Sequence, residues 1–181
     1  DISLIPFWQM HHQRYSVYWK RLSQADWQAR KAELAALEAQ RLAYEARMVD
    51  AVQPGEQQPE TDHNQKGENT RSGEAHSRKW RDANQGGWFS YELAVPANAA
   101  AILQATFWGD DSGTRRFDLQ VNGRTLATQT LDRNAPGRFF EVRWPLPKEL
   151  IAGSNVVTVR FQAHPGNIAG GLYGLETLKP E

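Results

Sequence analysis

The sequence contains no cysteine. This absence excludes disulfide frameworks, zinc–thiolate sites and cysteine nucleophiles. No HExxH, GxSxG, phosphate-loop or dinucleotide-binding motif occurs either, so the common signatures of several enzyme classes are missing. Three of the five histidines are scattered along the chain, and the adjacent pair His11 and His12 would point to opposite faces of a strand. No pair of carboxylates stands out as a glycosidase pair. The residues therefore predict no cofactor and no metal site.

The chain also lacks an excess of charge and a long apolar run. It has 21 Lys and Arg residues against 21 Asp and Glu residues, which argues against a nucleic-acid partner and gives no electrostatic attraction to an anionic membrane. No apolar run approaches the roughly 18 residues of a membrane span. The first ten residues, DISLIPFWQM, have no basic leader or apolar signal region. They read as part of a strand, so we expect the chain to be a piece of a longer protein.

The composition changes along the chain, and the first distinct region covers residues 1–22. Tyr15, Val17 and Trp19 alternate with more polar residues, which is typical of a strand. One or two strands cannot bury themselves. We therefore interpret residues 1–22 as the terminal strands of a preceding β module.

Residues 23–53 are predicted to form one long helix. Ser23 is a favourable N-cap, Asp26 three positions later imitates a capping box, and Pro54 and Gly55 end the helix. Arginines interrupt the heptad pattern, which argues against a long coiled coil. The pattern leaves two alternatives, a helix that packs on a neighbouring domain and a helix that forms a homodimer. A partial apolar stripe consists of Trp27, Leu34, Leu37, Leu42, Tyr44 and Met48.

A mostly β region follows a segment that is poor in large apolar residues. Residues 54–79 read as a linker or entry segment, and residues 80–181 as a β domain whose start could lie near 60. Within this domain, Asn122-Gly123 predicts a type I′ hairpin. Short strands without long intervening helices predict an antiparallel β-sandwich or jelly roll. The predicted strands are WFSYELAV, AILQATFW, RFDLQV, RTLATQTL, RFFEVRWPL and NVVTVRFQA, and PKELIAG adds a short helical turn. The alternation in NVVTVRFQA predicts that Val157, Val159 and Phe161 face the core.

The stretch FWGDDSGTRRFDLQVNGRTL at 107–126 concentrates acids and arginines between two of these strands. As an EF-hand loop that begins at Asp110, it would place Ser112, Thr114 and Arg115 at its third, fifth and sixth positions, so the calcium pattern fails. Asp, Ser and Gly favour turns on their own account. We therefore predict a structural corner first, with a sugar contact or a calcium site of another type as the alternatives.

Seven tryptophans form a stronger functional signal. Indole faces stack against the C–H faces of sugars, while nearby polar side chains bind the hydroxyl groups. The alternative is that the tryptophans close the open ends of a small sandwich. The candidate carbohydrate-binding residues are Trp80, Arg81, Asp82, Trp88, Trp108, Asp110, Asp111 and Arg115.

Five stretches resemble the C-terminal region of glycoside hydrolase family 127-like proteins, the β-L-arabinofuranosidase group. They are LIPFWQMHHQRYSVYW at 4–19, DHNQKGENTRSG at 62–73, WRDANQGGWFSYEL at 80–93, FWGDDSGTRRFDLQVNG at 107–123 and VTVRFQAHPGNIAGGLYGLE at 157–176. In such proteins an upstream α/α barrel carries a cysteine nucleophile, zinc-ligating cysteines and a glutamate. None of these can be carried over, because this chain has no cysteine and shows no barrel pattern.

What the resemblance implies is a non-catalytic accessory β-sandwich, similar in build to carbohydrate-binding modules, in a bacterial polypeptide that is periplasmic or secreted. Its partners would be the upstream catalytic and β domains of the same chain. We expect it to support domain assembly. The alternatives are a carbohydrate-binding module for plant-type polysaccharide and, as the weakest, an independent glycosidase.

Overall fold

The structure, a computed structural model, describes residues 21–97, 99–151 and 153–180. The chain divides into two compact units, Asp1–Leu42 and Ala43–Glu181. Nearly all of the preceding β module expected in residues 1–22 lies outside the described residues.

Helix α1, Gln24–Arg47, starts where the sequence predicts it. The Asp26 backbone N–H donates to Ser23 Oγ at 3.1 Å, and that hydroxyl donates to the Asp26 carboxylate at 2.7 Å. The side chains of Trp27 and Leu37 on this helix are about half exposed, at 50% and 52%. The helix ends at Arg47 rather than at residue 53, because from Met48 onward the backbone pairs with another strand. Pairing on a sheet outweighs helix propensity here.

The unit Ala43–Glu181 holds nine strands and two short helices among its described residues. Residues 54–79, predicted to be a linker, contain a helix and most of a hairpin. The elements are β1 (Met48–Val52), α2 (Gln57–Asp62), β2 (Lys66–Ala75), β3 (Arg78–Ala94), β4 (Ala101–Trp108), β5 (Arg116–Val121), β6 (Arg124–Thr130), β7 (Phe139–Leu146), α3 (Lys148–Ile151), β8 (Val156–Ala163) and β9 (Ala169–Leu178).

The strands form two antiparallel layers that share β3. Their hydrogen-bonded order is β6-β5-β8-β3-β9-β4-β7, with β2 on β3 and β1 on β9. One edge of β3 pairs with β8 over residues 88–94 and with β9 over residues 81–83, so this long strand belongs to both layers. This architecture confirms the predicted antiparallel sandwich. It begins at β1, well before residue 80.

The core lies between the layers and follows the predicted alternation. In β8, Val157, Val159 and Phe161 are buried, whereas the residues between them face outward. The ring of Phe161 stacks on Phe89 of β3, with centroids 4.9 Å apart. Burying each such side chain contributes about 1.5–3 kcal/mol, and this apolar face decides which side of each strand turns outward.

The β5–β6 hairpin confirms the predicted two-residue turn. Val121 and Arg124 are paired across it, and Asn122 and Gly123 have φ angles of 50° and 78°. Positive φ at both central residues defines a type I′ turn. The Asn122 amide also donates to the Leu150 carbonyl at 2.9 Å, which ties the turn to α3.

Replacement of Gly123 by alanine is expected to lower the free energy of unfolding by about 1 kcal/mol. A Cβ at this position would meet no atom within 4 Å, so the cost is that of the left-handed backbone alone. Urea unfolding measures the loss. Gly123→Asn is the control and should lose less, because asparagine tolerates this conformation. Equal stability of wild type and Gly123→Ala would contradict the turn assignment.

Candidate functional site

A surface cleft of about 230 Å³ opens where the β2–β3 hairpin, the loop after β4 and the first half of β9 meet. We call it the tryptophan cleft. It is built from segments that are far apart in sequence and are brought together by the pairing of β3 and β9. Its lining residues are Arg71, Ala75, His76, Trp80, Asp82, Trp108, Asp111, Arg115, Gly171 and Tyr173.

Aromatic rings form the walls of the tryptophan cleft. The His76 ring stacks on Trp108 with centroids 3.8 Å apart. Phe139 packs against both Trp108 and Tyr173 in edge-to-face arrangements, at centroid distances of 5.0 and 4.9 Å. These contacts fix the orientation of the rings, and rigid aromatic surfaces are what a ligand can stack on at little entropic cost.

Trp80 lies directly opposite Gly73 in the β2–β3 ladder. A Cβ added to Gly73 would lie 2.5 Å from the indole ring, so only glycine leaves room for the ring over the strand. Arg71 places its guanidinium 5.7 Å from the Trp80 ring centroid, within the distance at which cation–π attraction acts.

Two arginine–aspartate pairs supply the polar groups of the cleft. Arg71 donates to both carboxylate oxygens of the buried Asp82, at 2.9 and 3.2 Å. Arg115 lies 3.5 Å from the Asp111 carboxylate and donates to the Gly170 carbonyl at 2.8 Å. Burial raises the pKa of the Asp111 carboxyl, and the nearby Arg115 opposes this rise. The cleft thus offers donors and acceptors that are already held in place.

The loop between β4 and β5 is the structural corner that the sequence predicts. β4 ends at Trp108 and β5 begins at Arg116. Gly109 sits so close to the opposite loop that a Cβ would lie 1.8 Å from the Ala135 carbonyl oxygen. This contact fixes the corner, and the corner in turn brings Asp111 to the cleft.

The structure brings five of the eight candidate residues together in the tryptophan cleft. They are Trp80, Asp82, Trp108, Asp111 and Arg115.

The other three candidates lie elsewhere. Arg81 binds the Glu60 carboxylate with two hydrogen bonds of 2.6 Å. Trp88 is covered by the Arg160 guanidinium, 4.0 Å from its ring centroid. Asp110 accepts a hydrogen bond from the Gly137 N–H at 2.8 Å and holds a loop.

Arg71, His76 and Tyr173 line the cleft but are not among the candidates. Arg71 and His76 fall in the stretch predicted to be a linker, and Tyr173 follows two glycines in β9. Alternation of glycine with polar residues in GENTRSGEAHS gives no strand signal. One clue to the hairpin is present in the sequence. Gly73 and Trp80 stand three residues before His76 and three residues after Ser77, as partners across a two-residue turn do.

Within the described ranges, no group of three or more histidine, aspartate or glutamate side chains could hold a metal ion. None of the helices in that part of the chain is long and apolar enough to cross a membrane.

The fold and the cleft define a β-sandwich module with a surface cleft lined by aromatic and charged side chains. Residues 43–178 match the family described as a family of unknown function, DUF6805. The chain therefore belongs to this family. No curated protein matches it.

Several solved structures share the fold at low sequence identity. A family 35 carbohydrate-binding module from Clostridium thermocellum is 12% identical, with a TM-score of 0.52 over 72% of this chain and 97% of that chain. The module CBM6cm-2 from Cellvibrio mixtus lichenase 5A, in complex with cellotriose, is 11% identical, with a TM-score of 0.50 over 74% and 99%. An exo-β-1,3-galactanase from Phanerochaete chrysosporium with galactose is 16% identical, with a TM-score of 0.50 over 70% of this chain and 28% of the enzyme. At these identities the likeness shows the fold.

Proposed function

We propose that this chain is a non-catalytic carbohydrate-binding module whose ligand occupies the tryptophan cleft. The observation that carries the proposal is the convergence of two tryptophans, a tyrosine and two arginine–aspartate pairs in one cleft. The structural likeness to two carbohydrate-binding modules supports it.

The geometry suits a sugar better than an apolar ligand. The C–H face of a pyranose packs on an indole ring, and its hydroxyl groups both donate and accept hydrogen bonds. Asp111 supplies an acceptor, and Arg71 and Arg115 supply donors on the same cleft. The buried Asp82 holds Arg71 in position. Charge-assisted hydrogen bonds from groups that are already positioned bind hydroxyls without a large ordering cost.

The carboxylates of the cleft are arranged for binding rather than for glycoside hydrolysis. Both oxygens of Asp82 accept hydrogen bonds from Arg71, so both are already engaged within the protein. A glycosidase needs one carboxyl group as a general acid and a second as base or nucleophile. The pairing of both aspartates with arginine supports a role in recognition.

The longer protein that we propose around this module is a glycoside hydrolase, as the sequence resemblance implies. Within that protein, the module also has a structural role. It supports assembly of the domains of the parent chain or of a dimer through α1. The exposed apolar side chains of Trp27, Leu34 and Leu37 favour such a contact.

The proposed sugar binding is tested by screening the full chain on a glycan array. The array is printed with glucose, galactose, xylose, arabinose and mannose series, each from the monosaccharide to the pentasaccharide. We expect wild-type protein to bind at least one series, and calorimetry on the same sugar to give a saturable isotherm. Absence of binding to every series would overturn the proposal and favour the assembly role.

A further inference from the structure

Resting on the proposed sugar binding, we further propose that the ligand is an extended oligosaccharide that continues past Phe139 into a second cleft. This second cleft, the strand cleft, has a volume of about 420 Å³. Besides Arg78 and Phe139, it is lined by Thr106, Arg138, Phe140, Glu141 and Glu176.

Phe139 joins the two clefts. Its ring contacts Trp108 and Tyr173, which line the tryptophan cleft, and the same ring lines the strand cleft. The Arg78 guanidinium lies 4.6 Å from the Phe139 ring centroid and also lines the strand cleft. A chain that leaves the tryptophan cleft therefore passes the stacked Arg78 and Phe139 side chains and reaches a second polar concavity.

The strand register places both clefts along one face of the β4–β7 pair. Trp108 pairs with Phe139, and two residues further along Thr106 pairs with Glu141. Residues two apart in a strand face the same side. The groove therefore runs along β4 from Trp108 past Thr106, and its direction follows the strand.

Gly174 keeps the floor of this groove low. It pairs with Thr106 across β4 and β9, and a Cβ added there would lie 3.3 Å from the Thr106 hydroxyl oxygen. A side chain at residue 174 would crowd Thr106, which lines the strand cleft.

A hydrogen-bonded cluster marks the far end of the groove. The Gln104 amide donates to the Tyr44 hydroxyl at 2.6 Å and to Glu176 at 3.0 Å. From Trp108 to Gln104 the strand advances about 13 Å at about 3.3 Å per residue. This length, added to the tryptophan cleft, exceeds what a single sugar ring occupies.

The strand cleft has its own polar groups for the added rings. Arg138 and Glu141 are exposed at its rim and supply a donor and an acceptor. Removal of these two side chains should reduce the affinity for long glycans. The affinity for the monosaccharide, which we propose to bind in the tryptophan cleft, should stay unchanged and serves as the internal reference.

The test uses the same array and calorimetry on wild type and on the double variant Arg138→Ala/Glu141→Ala. We expect wild-type affinity to rise by about tenfold or more from the monosaccharide to the tetrasaccharide of the bound series, as two added hydrogen bonds predict. The double variant should lose most of this rise. Arg124→Ala/Glu149→Ala removes the same charges at exposed positions on β6 and α3 and should keep it.

The outcomes separate this inference from the function on which it rests. If wild type binds a monosaccharide and a tetrasaccharide equally, the extended ligand is wrong while sugar binding stands. If affinity rises with length equally in the wild type and the Arg138→Ala/Glu141→Ala variant, the strand cleft is not the route of the chain. If wild type binds no member of any series, both proposals fall.

Discussion

Replacement of Glu60 by alanine is expected to lower the free energy of unfolding by about 3–5 kcal/mol, measured by urea denaturation. Glu60 lies on α2 and binds Arg81 through two hydrogen bonds of 2.6 Å. It also accepts hydrogen bonds from the Tyr91 hydroxyl and the Gly55 N–H, each at 2.8 Å. The side chains of the ion pair are only 10–11% exposed. Removal of one partner leaves Arg81 buried without its counter-charge, which is the costly way to break such a pair.

The control is Glu56→Ala, which removes a second carboxylate close to α2. Glu56 lies 3.1 Å from Lys79, but these side chains are 44% and 41% exposed. An exposed pair contributes about 0–1 kcal/mol. If Glu56→Ala and Glu60→Ala lower the free energy of unfolding equally, the buried Glu60–Arg81 pair contributes no more than the exposed pair, and the prediction is wrong.

The same pair predicts how stability depends on pH. Burial by itself would raise the pKa of Glu60, but hydrogen bonds from Arg81, Gly55 and Tyr91 outweigh it and lower the pKa below its usual value of 4.5. A lowered pKa in the folded state stabilises the protein above pH 4.5, and this contribution is lost as the pH falls through the folded-state pKa. Glu60→Gln should therefore lose less stability than wild type on acidification below pH 4.5.

Replacement of Trp108 by alanine is expected to weaken glycan binding by about thirtyfold or more, which corresponds to about 2 kcal/mol. Trp108 forms a wall of the tryptophan cleft and carries the stacked His76 ring. Its loss removes the surface on which we propose that the sugar packs, and it releases His76 from its position. Calorimetry with the sugar identified on the array measures the effect.

Trp88 provides the matched control for this experiment. It is also a strand tryptophan, but it lies under Arg160 and away from the cleft. Trp88→Ala should therefore keep the wild-type affinity. Trp80→Ala removes the other indole of the cleft. It tests the same site independently, in case Trp108→Ala fails to fold. Loss of binding in Trp88→Ala with retention in both cleft variants would place the ligand elsewhere.

The sequence was sufficient for those strands whose apolar residues alternate. Val157, Val159 and Phe161 face the core as predicted, and Asn122-Gly123 forms the predicted turn. In both cases the cause is local, because side-chain alternation and positive φ do not depend on distant contacts.

Strands that depend on tertiary pairing could not be predicted in this way. β9 contains three glycines in AGGLYGLETL and still pairs with β1, β3 and β4. β2 reads as a polar linker because it lies on β3 with most of its residues exposed. In both strands the pairing partner, rather than intrinsic propensity, stabilises the extended backbone.

The candidate site was predictable in residue type but only partly in position. Trp80 and Asp82 share a face of β3, whereas Arg81 between them turns to the opposite side and binds Glu60. Strand alternation explains this split once the strand is known. Tyr173 reaches the cleft only because β9 lies next to β3, which no local pattern encodes.

The position of β9 has a consequence for how the chain acquires its fold. β9 is the last strand of the sandwich in sequence. In the sheet it lies between β3 and β4, and it also pairs with β1. Until β9 has left the ribosome, β1 and the edges of β3 and β4 that pair with β9 have no partner, and the apolar faces that β9 covers stay open. Folding must therefore wait for contacts of high contact order, and chains truncated before Ala169 should be prone to aggregation through those edges.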